Sequence, residues 1–207
     1  MKRVSVSLAQ AGVLALMVSS AANAQVLLYD NGPFNPYGSA YYMNGTNSIT
    51  DSFVLSSAAS LTKADIGVWN WTGDSSTSVS WSIGTTQYAT DISSGLSTTT
   101  DTFQVNNGYG FDTYVDSFAI SGALAPGTYW ITVSHATTAD LQSSFWAVSA
   151  GASSAHVSYL GAEPSESFQI YGNTAPPRST PEPGQFAMAA GLGLSALSVM
   201  RRRRRAS

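Results

Sequence analysis

Four tryptophans are the residues of this sequence whose chemistry is most informative. Trp69 and Trp71 alternate with aliphatic residues in a strand-like run, so period two places them on the face away from the aliphatic stripe. Trp130 also alternates with apolar neighbours and is predicted to face away from them. Trp146 is predicted to face outward as well. Exposed flat rings stack on the apolar faces of sugars. The four residues are therefore the predicted ligand site, unless loops cover the sheet and bury them.

Carboxylates offer a second kind of chemistry. Eleven Asp and Glu side chains lie between residues 25 and 173, and glycoside hydrolysis needs two carboxylates at a defined separation. The sequence fixes none of these distances. Most of the acids stand beside Ser, Thr, Gly or Asn, which is typical of solvated turns. A carbohydrate-active hydrolase therefore stays an alternative, with no catalytic residue assigned.

Nucleophilic catalysis has little support. The chain has no Gly-x-Ser-x-Gly elbow. Ser134 precedes His135 and Asp140 follows nearby, but serine is so common here that this arrangement carries little weight. His135 is better interpreted as a polar residue at the end of a strand. The protein is predicted not to be an enzyme.

A metal site is not predicted either. The sequence lacks a His-Glu-x-x-His motif and an EF-hand loop. Asp30-Asn31-Gly32 and the pair Asp112 and Asp116 carry oxygen ligands of the kind that calcium prefers. Turns with an Asx hydrogen bond explain the same residues more simply. A structural calcium remains an alternative, and no cofactor is expected.

The elements that must position these residues are β-strands. Alternating apolar and polar residues recur between clusters of Gly, Asn, Asp and Ser, and no long window has a helical period. Many short strands with frequent turns predict a single all-β domain, a jelly-roll-like β-sandwich. The predicted strands are residues 25–30, 48–55, 62–71, 78–83, 100–105, 113–120, 128–134, 144–148, 156–159 and 167–171.

Period two also predicts the core. One sheet face of each strand should be buried, and residues 32–38 with the two tyrosines that follow form a long aromatic loop at one end. The expected core residues are Phe53 with Leu55, Ile66 with Val68, Val79 with Trp81 and Ile83, Phe103 with Val105, Phe118 with Ile120, Tyr129 with Ile131 and Val133, and Phe168 with Ile170.

Charge excludes one class of partner. Between residues 25 and 173 the eleven acids face a single basic side chain, Lys63, which gives a net charge of −10 without histidine. Nucleic-acid binding relies on Lys and Arg at the phosphates, so no nucleic-acid partner is expected. The sequence has no cysteine, so burial and sheet hydrogen bonds must hold the domain without disulfides.

The N-terminal segment has the three parts of a secretory signal. Lys2 and Arg3 form a positive start, residues 4–18 are mostly apolar, and Ala22-Asn23-Ala24 is a small-x-small cleavage pattern. Residues 1–24 are thus predicted to be a signal peptide, with the mature chain beginning at Gln25. Residues 25–173 form the predicted domain and residues 174–180 a short linker.

The C-terminal segment, residues 181–205, also has three parts. A Pro-Glu-Pro motif precedes an uncharged apolar stretch, residues 184–200, that is long enough to cross a bilayer as a helix. Arginines follow and should stay on the cytoplasmic side. The residues of the motif and of the basic cluster are Pro181, Glu182, Pro183, Arg201, Arg202, Arg203, Arg204 and Arg205.

This tail resembles the PEP-CTERM sorting signal of Gram-negative bacteria that make extracellular polysaccharide. The resemblance covers about the last 27 residues. It implies that the chain is a substrate of an exosortase, a membrane protease-transferase, and travels to the cell surface or the extracellular matrix. Family helices are rich in leucine, whereas this one has only Leu192, Leu194 and Leu197. Such a weak helix suits a transient inner-membrane anchor.

The sequence thus predicts an exported, non-catalytic surface or matrix protein that binds exopolysaccharide through exposed aromatic residues. The run Pro-Gly-Thr-Tyr-Trp at residues 126–130 is similar to one in uncharacterised β-sandwich modules of the same group. The secretion machinery and an exosortase are the expected partners. A purely structural matrix protein without a specific ligand is the first alternative, and a hydrolase is the second.

Overall fold

The computed structural model describes residues 25–32 and 34–174, and every regular element in this part of the chain is a β-strand. The prediction of an all-β chain is confirmed. The strands are β1 (Val26–Asp30), β2 (Ala40–Tyr42), β3 (Ser48–Leu55), β4 (Ala59–Trp71), β5 (Ser76–Gly84), β6 (Ser93–Asn106), β7 (Phe111–Leu124), β8 (Gly127–Thr138), β9 (Ser144–Ala147), β10 (Ala155–Val157), β11 (Gly161–Glu163) and β12 (Phe168–Thr174).

Each of the ten predicted strands overlaps a strand of the structure, and β3 has the predicted bounds. Two strands were not predicted, β2 and β11, which have three residues each. Alternation cannot be recognised over so short a run. β6 begins at Ser93, whereas the strand was predicted to begin at residue 100. The earlier start was not predicted because the first half of β6 is a Ser/Gly-rich run with little apolar pattern.

The sheet is antiparallel and continuous, with strand order β1-β12-β4-β7-β6-β5-β8-β3-β10-β11. β6 lies in the middle of this order and joins its two parts. Its residues 93–98 pair with β5, and its residues 99–106 pair with β7. The sheet therefore curls at β6 into two parts. We call one part the β4 half; it contains β1, β12, β4 and β7, with β9 beside β4 and β2 beside β9. The other part is the β8 half, which contains β5, β8, β3, β10 and β11.

Side chains of both halves pack into one core. Phe53 of β3 lies 6.0 Å from Tyr29 of β1 and 6.5 Å from Phe168 of β12, measured between ring centroids. Most predicted core residues are confirmed as buried, and Tyr129 is half-buried against them. The confirmed residues are Phe53, Leu55, Ile66, Val68, Val79, Trp81, Ile83, Phe118, Ile120, Ile131, Val133, Phe168 and Ile170.

The predicted core pair Phe103 and Val105 is wrong. Phe103 is 56% exposed, and Val105 is only half-buried. A register shift separates them, so that Phe103 pairs with Tyr114 and Val105 with Thr113. Because Tyr114 and Thr113 are consecutive, the two predicted partners lie on opposite faces of the sheet.

The expectation that Trp146 faces outward is also wrong. Its side chain is completely buried, and its Nε1 donates a 2.8 Å hydrogen bond to the carbonyl oxygen of Ser167. β9 pairs Trp146 with Val68, a core residue of β4, so both side chains point inward. The strand β9 is too short for its sequence to show which face is buried.

The predicted signal peptide, with Ala22 and Ala24 at its cleavage site, lies outside the described residues, as do the Pro181–Glu182–Pro183 motif and the arginine cluster. Gln25, the predicted first residue of the mature chain, is described and exposed. Within residues 25–32 and 34–174 the structure contains no helix long and apolar enough to cross a membrane.

Candidate functional site

A row of aromatic side chains crosses the outer face of the β4 half, the face opposite the core. Strand pairing places Trp71 beside Phe111, Trp69 beside Phe145, and Phe145 beside Tyr42. Val68 and Trp146, the neighbours of these residues along β4 and β9, point into the core. We call Tyr42, Phe145, Trp69, Phe111 and Trp71 the aromatic row.

The rings of the row are in mutual contact. The centroids of Trp71 and Phe111 are 4.7 Å apart, and those of Phe111 and Phe145 are 5.5 Å apart. Tyr42 follows at 5.7 Å from Phe145, and Trp69 lies 5.7 Å from Phe111. Such distances are those of favourable aromatic pairs. The row is therefore a continuous aromatic surface built from β2, β9, β4 and β7.

Exposure differs strongly along the row. Trp71 is 43% exposed, whereas Trp69 is only 9% exposed because Phe145 and Phe111 cover it. Phe111, Phe145 and Tyr42 are half-buried. Of the four predicted ligand residues, Trp71 is thus the one that offers a large free surface, and Trp69 supports the row from beneath.

Phe34 extends the aromatic surface along β4. Its ring lies against Gly67, so closely that a side chain at position 67 would overlap the ring carbons. Gly67 faces outward between Asp65 and Trp69, since residues two apart on a strand share a face. The absence of a side chain at Gly67 therefore lets the loop after β1 settle onto the sheet.

A cavity of about 330 Å³ opens beside Phe34 on the same face. Its polar lining comes from three neighbouring strands, because Asp30 of β1 pairs with Gln169 of β12, and Gln169 pairs with Asp65 of β4. Val115 of β7 supplies apolar lining. An apolar ring beside carboxylates and an amide can hold a ligand that has both apolar faces and hydroxyl groups.

Hydrogen bonds fix the polar side of this cavity. Asp65 accepts a 2.6 Å hydrogen bond from the Ser117 hydroxyl, and its other oxygen lies 2.8 Å from the Lys63 ammonium. Lys63 also lies 4.0 Å from the centre of the Tyr171 ring. The Tyr171 hydroxyl donates a 2.7 Å hydrogen bond to Gln169. These side chains are held in place before any ligand arrives.

Trp130 lies apart from the aromatic row. β8 pairs it with Ser52 of β3 and with Gly84 of β5, so it stands half-buried on the outer face of the β8 half. Trp146 is in the core, as described above. The structure therefore brings together only Trp69 and Trp71 of the four predicted residues.

The sequence analysis missed several members of the site. Phe111, Phe145, Tyr42 and Phe34 join the aromatic surface only through strand pairing and the loop after β1. One sequence signal was available for Phe111. The Asn-Asn-Gly-Tyr-Gly run at 106–110 predicts a tight hairpin, which places the start of β7 beside the preceding strands.

Asp51 and Glu166 form a buried acidic cluster within the fold. Both side chains are 0% exposed. Asp51 accepts hydrogen bonds from the Asn31 amide at 3.1 Å and from the backbone N–H of Glu166 at 2.7 Å. Neither carboxyl oxygen of Glu166 has a partner, and burial raises its pKa well above the usual value. Burial likewise raises the pKa of Asp51 to about 6.

A second acidic pair, Asp101 and Asp116, lies directly opposite across β6 and β7. Asp116 is 1% exposed, and burial together with the negative charge of Asp101 raises its pKa well above the usual value. Asp51, Glu166 and Asp116 are buried and Asp101 is half-buried, so we expect these carboxyls to affect stability.

The residues considered as calcium ligands make other contacts within the protein. The Asp30 carboxylate accepts a 3.1 Å hydrogen bond from the backbone N–H of Gly32, as in an Asx turn. Asp112 accepts from the backbone of Gly73 at 2.8 Å, while Asp116 is buried beside Asp101. Within the part of the chain that the structure describes, no three His, Asp or Glu side chains are grouped so that they could hold a metal ion.

Comparison with known protein families and with curated proteins gives no match for this chain.

Proposed function

We propose that this protein is an exported, non-catalytic protein of the cell surface or extracellular matrix that binds neutral polysaccharide on the outer face of the β4 half. The observation that carries the proposal is the aromatic row, with Trp71 43% exposed and in ring contact with Phe111. Exposed apolar surface that is continuous with further aromatic rings often marks a binding site.

The cavity beside Phe34 supplies the second half of a saccharide site. Sugars have apolar ring faces and hydroxyl edges, so they need flat apolar surfaces and hydrogen-bonding groups together. Asp65 lies four residues from Trp69 on β4, which corresponds to roughly 13 Å along the strand. An extended chain of sugars can therefore contact the polar cavity and the aromatic row at once.

Charge favours a neutral polysaccharide over an acidic one. Residues 25–173 carry a net charge of −10, and Lys63 is already paired with Asp65. An anionic polymer would be repelled by this surface at low ionic strength.

Export and sorting belong to the same proposal. The N-terminal segment would be removed before Gln25, and the PEP-CTERM-like tail would anchor the chain briefly in the inner membrane for an exosortase. The domain between them would then reach the surface or matrix as a jelly-roll-like β-sandwich made of the two facing halves of the sheet.

The proposal is tested by titrating the full-length protein with three neutral polysaccharides, dextran, galactomannan and xylan, while intrinsic tryptophan fluorescence is followed. We expect a saturable change with at least one of them, and about tenfold weaker binding for Trp71→Ala, since one lost stacking contact of about 1.4 kcal/mol is tenfold in affinity. Trp71→Phe should retain most of the binding.

Val54→Ala is the matched control, because it removes an exposed apolar side chain from the β8 half. A Trp71→Ala protein that binds as tightly as the wild type would refute the role of the row. Absence of binding to all three polymers would favour the purely structural alternative.

A hydrolase is the second candidate, because Asp30 and Asp65 flank Gln169 on one face beside the cavity. Their backbones are two strand spacings apart, roughly 10 Å, a separation compatible with an inverting pair of carboxylates. The engagement of Asp65 by Lys63 and Ser117 favours binding instead. New reducing ends that disappear in Asp65→Asn would identify a hydrolase.

A further inference from the structure

The outer face of the β8 half carries ranks of hydroxyl groups. Pairing places Ser80 of β5 beside Ser134 of β8, and Ser134 beside Ser48 of β3. The next rank contains Ser82, Thr132 and Thr50 in the same order, and Thr132 donates a 3.0 Å hydrogen bond to Thr50. Ile49 and Val133, which lie between these positions on β3 and β8, point into the core.

An open groove of about 490 Å³ lies over the half-buried first rank and reaches Ser82 and Thr132 of the second. We call it the hydroxyl groove. The second rank is buried, and its three hydroxyls donate hydrogen bonds within the protein. Tyr88, His135 and Leu96 also line the groove, and Leu96 is 71% exposed. Its floor is formed by Ser48, Ser80, Ser82, Thr132 and Ser134, with Trp81 beside them.

Backbone strain is concentrated at the groove. In the part of the chain that the structure describes, three non-glycine residues have positive φ, and two of them, Tyr88 at 60° and His135 at 48°, line the groove. The Tyr88 hydroxyl donates a 2.8 Å hydrogen bond to the carbonyl oxygen of His156, which fixes the ring at the rim. Strained backbone of this kind persists where surrounding contacts hold it, often at binding sites.

The lining indicates the chemical class of a ligand. It contains no carboxylate, lysine or arginine, and His135 is its one ionisable imidazole, so it offers little to an ionic ligand. Ser and Thr hydroxyls both donate and accept hydrogen bonds, which matches the hydroxyl groups of a neutral sugar. Trp130 lies two residues before Thr132 on the same face of β8, so a half-buried aromatic side chain shares this face with the groove.

We propose that the hydroxyl groove is a second binding site for neutral saccharide, and that the protein bridges two polysaccharide chains. The proposal rests on the function proposed above for the aromatic row. The two sites lie on the outer faces of the two halves, with the core between them, so they face in opposite directions. One polymer chain on each face would make the domain a cross-link, and many such links along a polymer would reinforce one another.

The test uses two single-site variants and their combination in the full-length protein. Trp71→Ala weakens the aromatic row, and Ser134→Trp fills the hydroxyl groove. Thr128→Trp is the control, because it places the same bulk on the same face of β8 but six residues away, roughly 20 Å along the strand. Circular dichroism establishes that each variant is folded, and Ser80→Ala, which removes one hydroxyl without adding bulk, replaces Ser134→Trp if that variant does not fold.

Two quantities are measured with dextran, galactomannan and xylan: the affinity by titration, and the light scattering of polymer and protein mixtures. We expect the wild type and Thr128→Trp to raise scattering with the polymer that binds. Each single-site variant should still bind the polymer, but its scattering increase should be at least fivefold smaller than that of the wild type. The double variant should lose both the binding and the scattering increase.

The outcomes separate the two proposals. If Ser134→Trp and Ser80→Ala bind and scatter like the wild type while Trp71→Ala loses binding, the hydroxyl groove is not a site and the aromatic row stands. If the affinity and scattering of Trp71→Ala are unchanged while Ser134→Trp loses all binding, the function proposed for the aromatic row is wrong. The proposal that the protein bridges two polymer chains is then wrong as well. Absence of wild-type binding to all three polymers overturns both.

Discussion

The ring centroids of Trp71 and Phe111 lie 4.7 Å apart on adjacent strands, and Trp71 is nevertheless 43% exposed. Phe111 therefore supports one side of the Trp71 ring while the other side stays open to solvent. A rigid aromatic surface of this kind loses little conformational freedom when a ligand stacks on it.

Phe111→Ala should loosen Trp71 and weaken saccharide binding about threefold to tenfold, because a lost aromatic contact costs on the order of 0.5–1.5 kcal/mol. Acrylamide quenching of tryptophan fluorescence should increase in this variant, since Trp69 and the side of Trp71 that faces Phe111 become accessible to the quencher. Trp81 and Trp146 are buried and should contribute little to quenching in either protein. Unchanged quenching and unchanged affinity would show that Phe111 does not hold Trp71.

Gly67→Ala should disturb the cavity beside the aromatic row. An added methyl group would overlap the Phe34 ring, and overpacking of this kind typically costs about 1–3 kcal/mol of stability. Thermal unfolding measures the loss. The double variant Gly67→Ala with Phe34→Ala should recover part of it, because the ring that clashes is gone. Equal stability of Gly67→Ala and the wild type would contradict the contact.

The buried acids predict that stability falls as pH rises. Burial raises the pKa of Asp51 to about 6 and that of Glu166 well above its usual value. The folded state therefore keeps protons that the unfolded chain loses near pH 4. Because the folded state binds more protons, the free energy of unfolding decreases from about pH 4 through pH 6 and above. Urea unfolding between pH 4 and pH 9 measures this slope.

Glu166→Gln should reduce that slope and raise stability at pH 8 relative to pH 4, by about 1.4 kcal/mol for every pH unit over which the Glu166 carboxyl keeps its proton only in the folded state. The amide does not titrate, so folding no longer holds a proton at this buried position. Asp140→Asn, at an exposed position, is the control and should leave the slope unchanged. A steeper slope in Glu166→Gln would contradict this assignment.

The processing signals predict the ends of the mature protein. Mass spectrometry of the protein from its exporting cell should find an N-terminus at Gln25 and loss of the segment that follows the Pro181-Glu182-Pro183 motif. Substituting both prolines by alanine should leave the tail attached and hold the protein in the inner membrane. Export of an untrimmed chain to the surface would contradict sorting by an exosortase.

Local pattern determined much of this fold. Strand position and the buried face follow from alternation within one strand, which is why β3 was predicted to the residue and why pairs such as Phe118 with Ile120 are buried. The same reasoning failed at Phe103 and Val105, because a bulge shifts the alternation and only pairing with β7 reveals it. Very short strands, β2 and β9, gave no usable alternation.

The candidate site depended on contacts between distant parts of the chain. The sequence identified Trp69 and Trp71 as outward-facing, yet it could not show that Phe145 and Phe111 cover Trp69 and leave Trp71 free. Asp30, Gln169 and Asp65 share a cavity only because β12 lies between β1 and β4.

The sequence by itself determined the all-β class, the net negative charge and most of the core, because these depend on composition and on period-two alternation along single strands. Only the tertiary structure decided which tryptophans are accessible, which acids are buried and which residues line each outer face. Burial is set by what packs over a side chain, and that neighbour is chosen by strand order and register, which no local pattern encodes.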